Sequence, residues 1–327
     1  TPSTSLFNLF LVGSLLTVLD AANGASDIWR RDRMVVPINI AGSPQYTLFN
    51  GYLKPKEERS LRKITDNQSI IKKFDIVGWA TKHPDRSILF VVVESLGIPK
   101  STDSLVWIKN KIEVDDYQTS FYEVEFKGAT TNGELRSLCG LEGSYTAASA
   151  EVATDCLPAQ LSRMGWSTSG YHGFSKKMFD RQSWWPNMGL NQTFFIESSE
   201  IGALPLCGNV FRGACDIDLL KLAAKQIVTP KSFVYALTLN THLPVVPIGI
   251  PATLSQICAK DKLSDGVCMH IASTGNILGQ IAASTNHLPK SPLIVVVGDH
   301  APPFSTLTDR NSFKQNVVPG FILVPRN

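Results

Sequence analysis

"LIVVVGDHAPPF", residues 293–304, decides the fold. Leu293 to Val297 are all aliphatic and strand-forming, which is the mark of a strand buried on both faces. Gly298 ends the run. A carboxylate, Asp299, and an imidazole, His300, then stand at the strand's C-terminal end, where open α/β sheets bind their ligands. The plainer reading is a loop aspartate capping a helix beside an ordinary histidine. A second stretch answers the first: "ILFVVVESLGIP", residues 88–99, is another buried run, and it ends in Glu94. If the two strands are neighbours, Glu94, Asp299 and His300 converge. Two carboxylates and one imidazole suit Zn²⁺ or Mn²⁺. A cation there also explains why buried strands carry charge to their ends, since unpaired carboxylates would be costly.

Outward from these strands the chain alternates. Strands are predicted at 87–93, 120–126, 193–197, 232–239, 293–297 and 320–324. Helices are predicted at roughly 133–139, 175–183, 216–226 and 268–284. Such alternation gives an α/β class, with a central, mostly parallel sheet sandwiched by helices. No internal repeat, low-complexity tract or Gly/Ser linker divides the chain. Residues 1–85 read as a mixed, polar N-terminal extension packed on the main domain, and as a candidate juxtamembrane segment. Residues 86–327 read as that domain. Within the extension, "LKPKEERSLRK" at 53–63 is a solvated helix or loop.

Composition bounds the function. The chain has 327 residues, 43% hydrophobic and 18% charged, enough for a sizeable core. A net charge of +3, with no basic run and no zinc-finger spacing, excludes a nucleic-acid partner. The first residue is Thr rather than Met, which suggests a processed or excised piece. Residues 5–19, "SLFNLFLVGSLLTVL", are apolar but shorter than the about 20 residues of a membrane span. They lack the basic start and cleavage site of a signal peptide. They read as a buried helix or as an interfacial helix near a membrane.

Six cysteines, Cys139, Cys156, Cys207, Cys215, Cys258 and Cys268, contain no C-x-x-C, so redox or structural-zinc motifs are poorly supported. About 15 connectivities are open to six cysteines. Their sequence-local spacing suggests 139–156, 207–215 and 258–268, and an oxidising compartment. Asn67 and Asn191 begin glycosylation sequons, which carry no meaning if the source is bacterial.

A third stretch, "FKGATTNGELRSLCGL" at 126–141, is a strand, a glycine turn, two threonines and a short helix, with Asn132 a candidate cap. A threonine at a helix N-terminus faces free N–H groups and the positive end of the dipole. That position stabilises an alkoxide and the phosphate it attacks. A hydroxyl is a weak nucleophile until its pKa is lowered, and a metal does this. Alone, two such threonines are more often simple caps.

The order E-S, G-x-T-T-x-G-E, H-G-F, T-H-L-P, G-D-H resembles the alkaline phosphatase and sulfatase superfamily. More narrowly, it resembles the extracytoplasmic domains of bacterial phosphoglycerol and phosphoethanolamine transferases, such as the lipoteichoic acid synthases. The resemblance covers about residues 86–327. It implies a periplasmic or extracytoplasmic domain of an inner-membrane protein, carried by a preceding membrane part. Residue by residue, Glu94, Asp299 and His300 match the metal ligands. Thr130 matches the nucleophile, itself metal-bound, with Thr131 the competing register. His172 in "GYHGF" and His242 in "NTHLP" match the histidines that hold the substrate phosphate. Arg181, nine residues after His172, matches a phosphate-contacting arginine. Phe179 falls where an aromatic is expected, and Trp184–Trp185 reads as packing. His83, His270 and His287 match nothing and read as structural or exposed.

The resemblance implies one divalent metal, Zn or Mn, with Mg possible. It implies a phosphatidylglycerol or phosphatidylethanolamine donor, and an envelope glycan or lipid as acceptor. Short-range disulfides resemble the phosphoethanolamine branch. The Arg181 spacing, and the lack of a histidine after His300, resemble the phosphoglycerol branch, so the donor stays open. A sulfatase is rejected because "CLPAQ" at 156–160 has Gln where Arg is required, and no G-x-S-x-G marks a serine hydrolase. A phosphodiesterase, or an inactive lipid-binding sensor on the same fold, would share the motifs.

Overall fold

The computed structural model describes residues 60–286, 288 and 290–326. The apolar stretch 5–19, most of the charged stretch 53–63 and His287 lie outside the described residues. Seven strands form the main sheet: β1 (Ile88–Val93), β2 (Tyr117–Glu125), β3 (Ser167–His172), β4 (Gln192–Phe194), β5 (Ser232–Leu237), β6 (Leu293–Gly298) and β7 (Val317–Pro325). Their spatial order is β2-β7-β6-β1-β5-β3-β4. Every pairing is parallel except the two made by β7. The sheet is thus mostly parallel, and its parallel strands deliver their C-terminal ends to one edge. The register sets Gly298 beside Val93, Val92 beside Leu237, and Leu237 beside His172.

Eight helices matter for the site and its support: α1 (Ile76–Lys82), α2 (Thr102–Ile112), α3 (Thr130–Cys139), α4 (Leu157–Arg163), α5 (Arg181–Asn187), α6 (Asp216–Gln226), α7 (Ala252–Asp261) and α8 (Asp265–Thr285). They cover both faces of the sheet, which is why β1, β5 and β6 are buried at every position. On one face Leu89, Val91 and Val93 of β1 join α2, α6, α7 and α8. On the other, Ile88, Phe90 and Val92 join α1, α3, α4 and α5. Each such aliphatic or aromatic side chain contributes about 1.5–3 kcal/mol by leaving water. Residues 60–85 lie in the compact unit Leu53–Asn327, where Ile70, Ile76 and Trp79 enter the second of these cores. Three disulfides, Cys139–Cys156, Cys207–Cys215 and Cys258–Cys268, take the pairing suggested by their spacing.

The structure adds elements and corrects others. Strand β3, "STSGYH", lacks the apolar run that marks its neighbours, yet it lies between β4 and β5. Helices α1, α2, α4 and α7 were likewise not anticipated. The helix expected at 175–183 is a short 3₁₀ turn, Met178–Asp180, followed by α5 from Arg181. Phe179 and Asp180 have φ of 53° and 51°, left-handed values that break a helix at non-glycine residues. Asn132 does not cap α3. The cap residue is Ala129, with no side-chain hydrogen bond, and the Asn132 side chain instead accepts from the Gly143 N–H at 3.1 Å.

Candidate functional site

Glu94 follows β1, Asp299 and His300 follow β6, and β6 pairs directly with β1. The three groups offer ligand atoms that all lie within 4.8 Å of one another, and all three residues are buried. His300 Nε2 stands 3.3 Å from Glu94 Oε1 and 3.4 Å from Asp299 Oδ2. The other ring nitrogen, Nδ1, donates to the Ala301 carbonyl at 3.0 Å. That bond orients the ring and turns Nε2 toward the carboxylates, the arrangement common to metal-binding histidines. Asp299 Oδ1 accepts from the N–H groups of Ser95, at 2.7 Å, and His300, at 2.6 Å. Asp299 Oδ2 is buried with no hydrogen-bond partner.

The charges fit a cation. Burial works against ionisation of Glu94, but His300, His242 and the Ser95 hydroxyl together hold its carboxyl well below the usual range. Burial, and then the Glu94 charge, push Asp299 up to about 7. Burial also disfavours charge on His300, yet Asp299 and Glu94 raise it to about 10. Two buried carboxylates therefore call for positive charge between them. An orphaned Asp299 oxygen, a forward-facing imidazole nitrogen and Glu94 form an N/O donor set suited to Zn²⁺ or Mn²⁺.

Thr130 opens α3, and its hydroxyl donates to Glu94 Oε2 at 3.0 Å. This contact belongs to Thr130, not Thr131. Ala129 gives α3 no side-chain cap, so the first-turn amides beside Thr130 carry no capping bond. The helix can come this close because Gly133 has no side chain. A Cβ there would lie 2.6 Å from Asp299 Cβ and 2.8 Å from its Cα. Arg136, one turn on, donates from Nη2 to the carbonyls of Gly298 at 3.1 Å and Asp299 at 2.8 Å. Burial lowers its guanidinium to about 10.

His172 ends β3. Its Nδ1 donates to the Leu237 carbonyl at 3.1 Å, and its Nε2 is buried without a partner. Burial, reinforced by the nearby Arg181 charge, lowers it to about 3, so it is neutral with a free lone pair. His242 lies edge-on to Phe211, with centroids 4.7 Å apart, and its Nδ1 is also unpartnered. The loop that carries His242 is tied twice. Thr238 accepts the Glu94 N–H and Thr241 donates to the Glu94 carbonyl. Asp216, at the start of α6, accepts the N–H groups of Leu239 and Asn240.

Arg181 is placed differently from a free phosphate contact. Its Nε and Nη2 donate to Glu134 Oε1 at 3.0 and 2.9 Å, and Nη1 donates to the Met178 carbonyl at 3.3 Å. Trp185 Nε1 and the Tyr235 hydroxyl donate to the other Glu134 oxygen. Burial raises Glu134, while Arg181 opposes it. Phe179 lies under the Arg181 guanidinium at 5.2 Å. Trp184 and Trp185 are core residues. His83 packs on Trp79, and His270 is fully buried.

Sequence reading missed Ser95, Glu134, Arg136, Asp216, Thr238 and Thr241. Ser95, Glu134 and Thr241 had a signal, since they stand inside the quoted motifs E-S, G-x-T-T-x-G-E and T-H-L-P.

No protein-family model matches the chain, and no curated protein matches it in sequence. Solved structures do match in fold. A protein of the alkaline phosphatase superfamily from Vibrio parahaemolyticus superposes with a TM-score of 0.53 at 13% identity, over 74% of this chain and 60% of that one. The lipoteichoic acid synthase LtaP from Listeria monocytogenes gives 0.52 at 13% identity, over 74% and 66%. The phosphoglycerol transferase GacH from Streptococcus pyogenes, in complex with sn-glycerol-1-phosphate, gives 0.50 at 15% identity, over 73% and 68%. The matched part of the chain thus spans less than two thirds of the first two structures. The fold is alkaline phosphatase-like, and in fold alone the chain is similar to a lipoteichoic acid synthase and a phosphoglycerol transferase.

Proposed function

We propose that this chain is the extracytoplasmic catalytic domain of a metal-dependent transferase. It moves a phosphoglycerol or phosphoethanolamine headgroup from a membrane phospholipid to a cell-envelope glycan. The observation that carries this reading is the Thr130 hydroxyl, at an uncapped helix N-terminus, hydrogen-bonded to one of three buried groups suited to a cation. Three disulfides support an oxidising compartment. Among the described residues no helix is long and apolar enough to cross a membrane.

Glu94, Asp299 and His300 would hold one divalent ion, Zn or Mn with Mg possible. Bound there, it would lower the pKa of a neighbouring hydroxyl and offset phosphoryl charge. Thr130 Oγ attacks the headgroup phosphorus and gives its proton toward Glu94 Oε2. The new bond is Oγ–P, and the broken bond is P–O to diacylglycerol, which leaves as an alcohol with one proton. The α3 amides face the phosphoryl oxygens. His172 and His242 offer their unpartnered ring nitrogens to the bound phosphate diester. Arg181 adds positive charge behind His172 while it holds Glu134. An acceptor hydroxyl then attacks the phosphorus, the Oγ–P bond breaks, and the acceptor's proton passes to Thr130 Oγ, which regenerates the hydroxyl in the two-step order of covalent catalysis.

The test is peptide mass spectrometry after incubating the metal-loaded protein with phosphatidylglycerol or phosphatidylethanolamine. A phosphoglycerol or phosphoethanolamine adduct on Thr130, absent in Thr130→Ala, supports the reading and identifies the donor. An adduct on Thr131 moves the nucleophile. An adduct that only water resolves, with no glycan acceptor able to compete, makes the protein a phosphodiesterase. No adduct with metal bound sinks the covalent mechanism.

A further inference from the structure

Ser95 is a fully buried polar residue in a left-handed conformation, φ 55°, directly after Glu94. Glycine would take this conformation with no steric cost, whereas a side chain costs about 1–2 kcal/mol there. Its three polar groups show why serine is worth that strain. The N–H donates to Asp299 Oδ1 at 2.7 Å. The hydroxyl donates to Glu94 Oε1 at 2.7 Å. The carbonyl accepts from His270 Nε2 at 2.9 Å. One residue therefore contacts both carboxylates, and through different atoms.

The consequence is which oxygens stay open. Two N–H donors occupy Asp299 Oδ1, from Ser95 and His300, so only Oδ2 is unpartnered. The Ser95 hydroxyl fixes the rotation of the Glu94 carboxylate and leaves Oε2 to Thr130. Were Ser95 to relax to an extended conformation, its N–H would swing away from Asp299.

His270 opposes that relaxation. It is fully buried on α8, and a carbonyl acceptor fixes its Nε2 as the protonated nitrogen. Phe304 and Phe313 stand edge-on to the ring, each at 5.8 Å, and hold its plane. Two residues earlier, Cys268 ties the start of α8 to Cys258 of α7.

We infer that Ser95, clamped by His270, is a positioning residue that fixes Asp299 and Glu94 as cation ligands. The inference rests on the metal-site reading above. Supporting groups of this kind typically alter metal affinity by about 10–100-fold.

The experiment is isothermal titration of Zn²⁺ and Mn²⁺ into the metal-stripped protein, with apo-protein melting measured alongside. The variants are Ser95→Ala, Ser95→Gly, His270→Phe and His270→Gln. Ser95→Gly keeps the N–H and removes both strain and hydroxyl, so it folds, while Ser95→Ala keeps the strain and removes the hydroxyl alone. The expected result is a dissociation constant raised at least tenfold in Ser95→Ala, Ser95→Gly and His270→Phe. His270→Gln, which keeps a side-chain N–H donor, should recover part of the loss. Affinities within threefold of wild type, with only the melting temperature lowered, would overturn the inference and leave the metal site standing. Absence of binding by the wild-type protein would overturn the metal site and the inference with it.

Discussion

Gly133→Ala adds one methyl group where α3 meets the end of β6. The new Cβ would lie 2.6 Å from Asp299 Cβ and 2.8 Å from Asp299 Cα. Carbon atoms normally settle about 3.5–4.0 Å apart, so a retreat of roughly 1 Å is needed. The strand end resists, because the Asp299 N–H is held by the Val93 carbonyl at 3.3 Å and Oδ1 by Ser95. The helix must yield, and Thr130, one turn away on it, loses its 3.0 Å contact with Glu94. Overpacking of this size costs about 1–3 kcal/mol. Alanine's better helix propensity offsets about 1 kcal/mol, leaving a net loss of about 0–2 kcal/mol. The reaction should suffer more, since roughly 1 Å of misplacement costs about 100-fold in rate. Urea unfolding and single-turnover adduct formation on Thr130 read the two effects separately. Gly279→Ala, in α8 with nothing within 4 Å of its Cβ, is the control and should gain up to about 1 kcal/mol. If Gly133→Ala gained stability like the control and kept the wild-type adduct rate, the close approach of α3 to Asp299 would be refuted.

Four further expectations use other parts of the structure. Arg181→Met leaves Glu134 buried without its countercharge and should cost about 3–5 kcal/mol in urea unfolding; adding Glu134→Gln should return much of it, and strict additivity would argue against the pair. Replacing both Cys139 and Cys156 with serine opens a disulfide of sequence separation 17 at the end of α3, with an expected loss of about 3 kcal/mol from chain entropy. Thr131→Ala should keep adduct formation within a few-fold while Thr130→Ala abolishes it, because only Thr130 reaches Glu94; equal losses would undo the assignment. His172 is held neutral in the fold, lowered to about 3 from an ordinary 6.5, so the unfolded chain binds the extra proton as pH falls. Its contribution to stability is full above pH 6.5 and declines toward pH 3, at up to about 1.4 kcal/mol per pH unit. His172→Asn should flatten the stability–pH curve in that window, and an unchanged slope would count against a buried neutral imidazole.

What could be read from sequence followed a physical rule. Strands β1, β5 and β6 are buried on both faces, so they are written as unbroken apolar runs and their ends announce themselves. The two acidic ends, Glu94 and Asp299, were visible for the same reason, and parallel pairing of β1 with β6 joins them. Strand β3 was not visible, because Ser167, Thr168, Ser169 and Gly170 carry no hydrophobic signal. Its place between β4 and β5 comes from sheet pairing, which no local window contains. The Phe179–Asp180 break was hidden because positive φ at non-glycine residues leaves no compositional trace. Glu134, Arg136 and Asp216 were given no role, because a charge within a helical stretch does not reveal its burial. Each is nearly fully buried, and its partners are distant in sequence.

Those hidden charges explain how a charged site can rest on an apolar sheet. The carboxylates at the ends of β1 and β6 cannot be ionised together without nearby donors. Ser95 and His300 give N–H donors to Asp299, and helix α3 adds the Thr130 hydroxyl on Glu94 and the Arg136 guanidinium on the carbonyls of Gly298 and Asp299. One turn after Thr130 the helix bears Glu134, which would repel the site's carboxylates if left bare. Arg181 neutralises it, and Trp185 and Tyr235 satisfy its second oxygen. Helix α3 thus presents favourable charge toward Asp299 while its own acidic residue is balanced from α5. The Glu134–Arg181 pair therefore bears on chemistry as well as on folding. It holds the helix that carries Thr130, so a change at either residue should alter the adduct-forming step even where the protein stays folded.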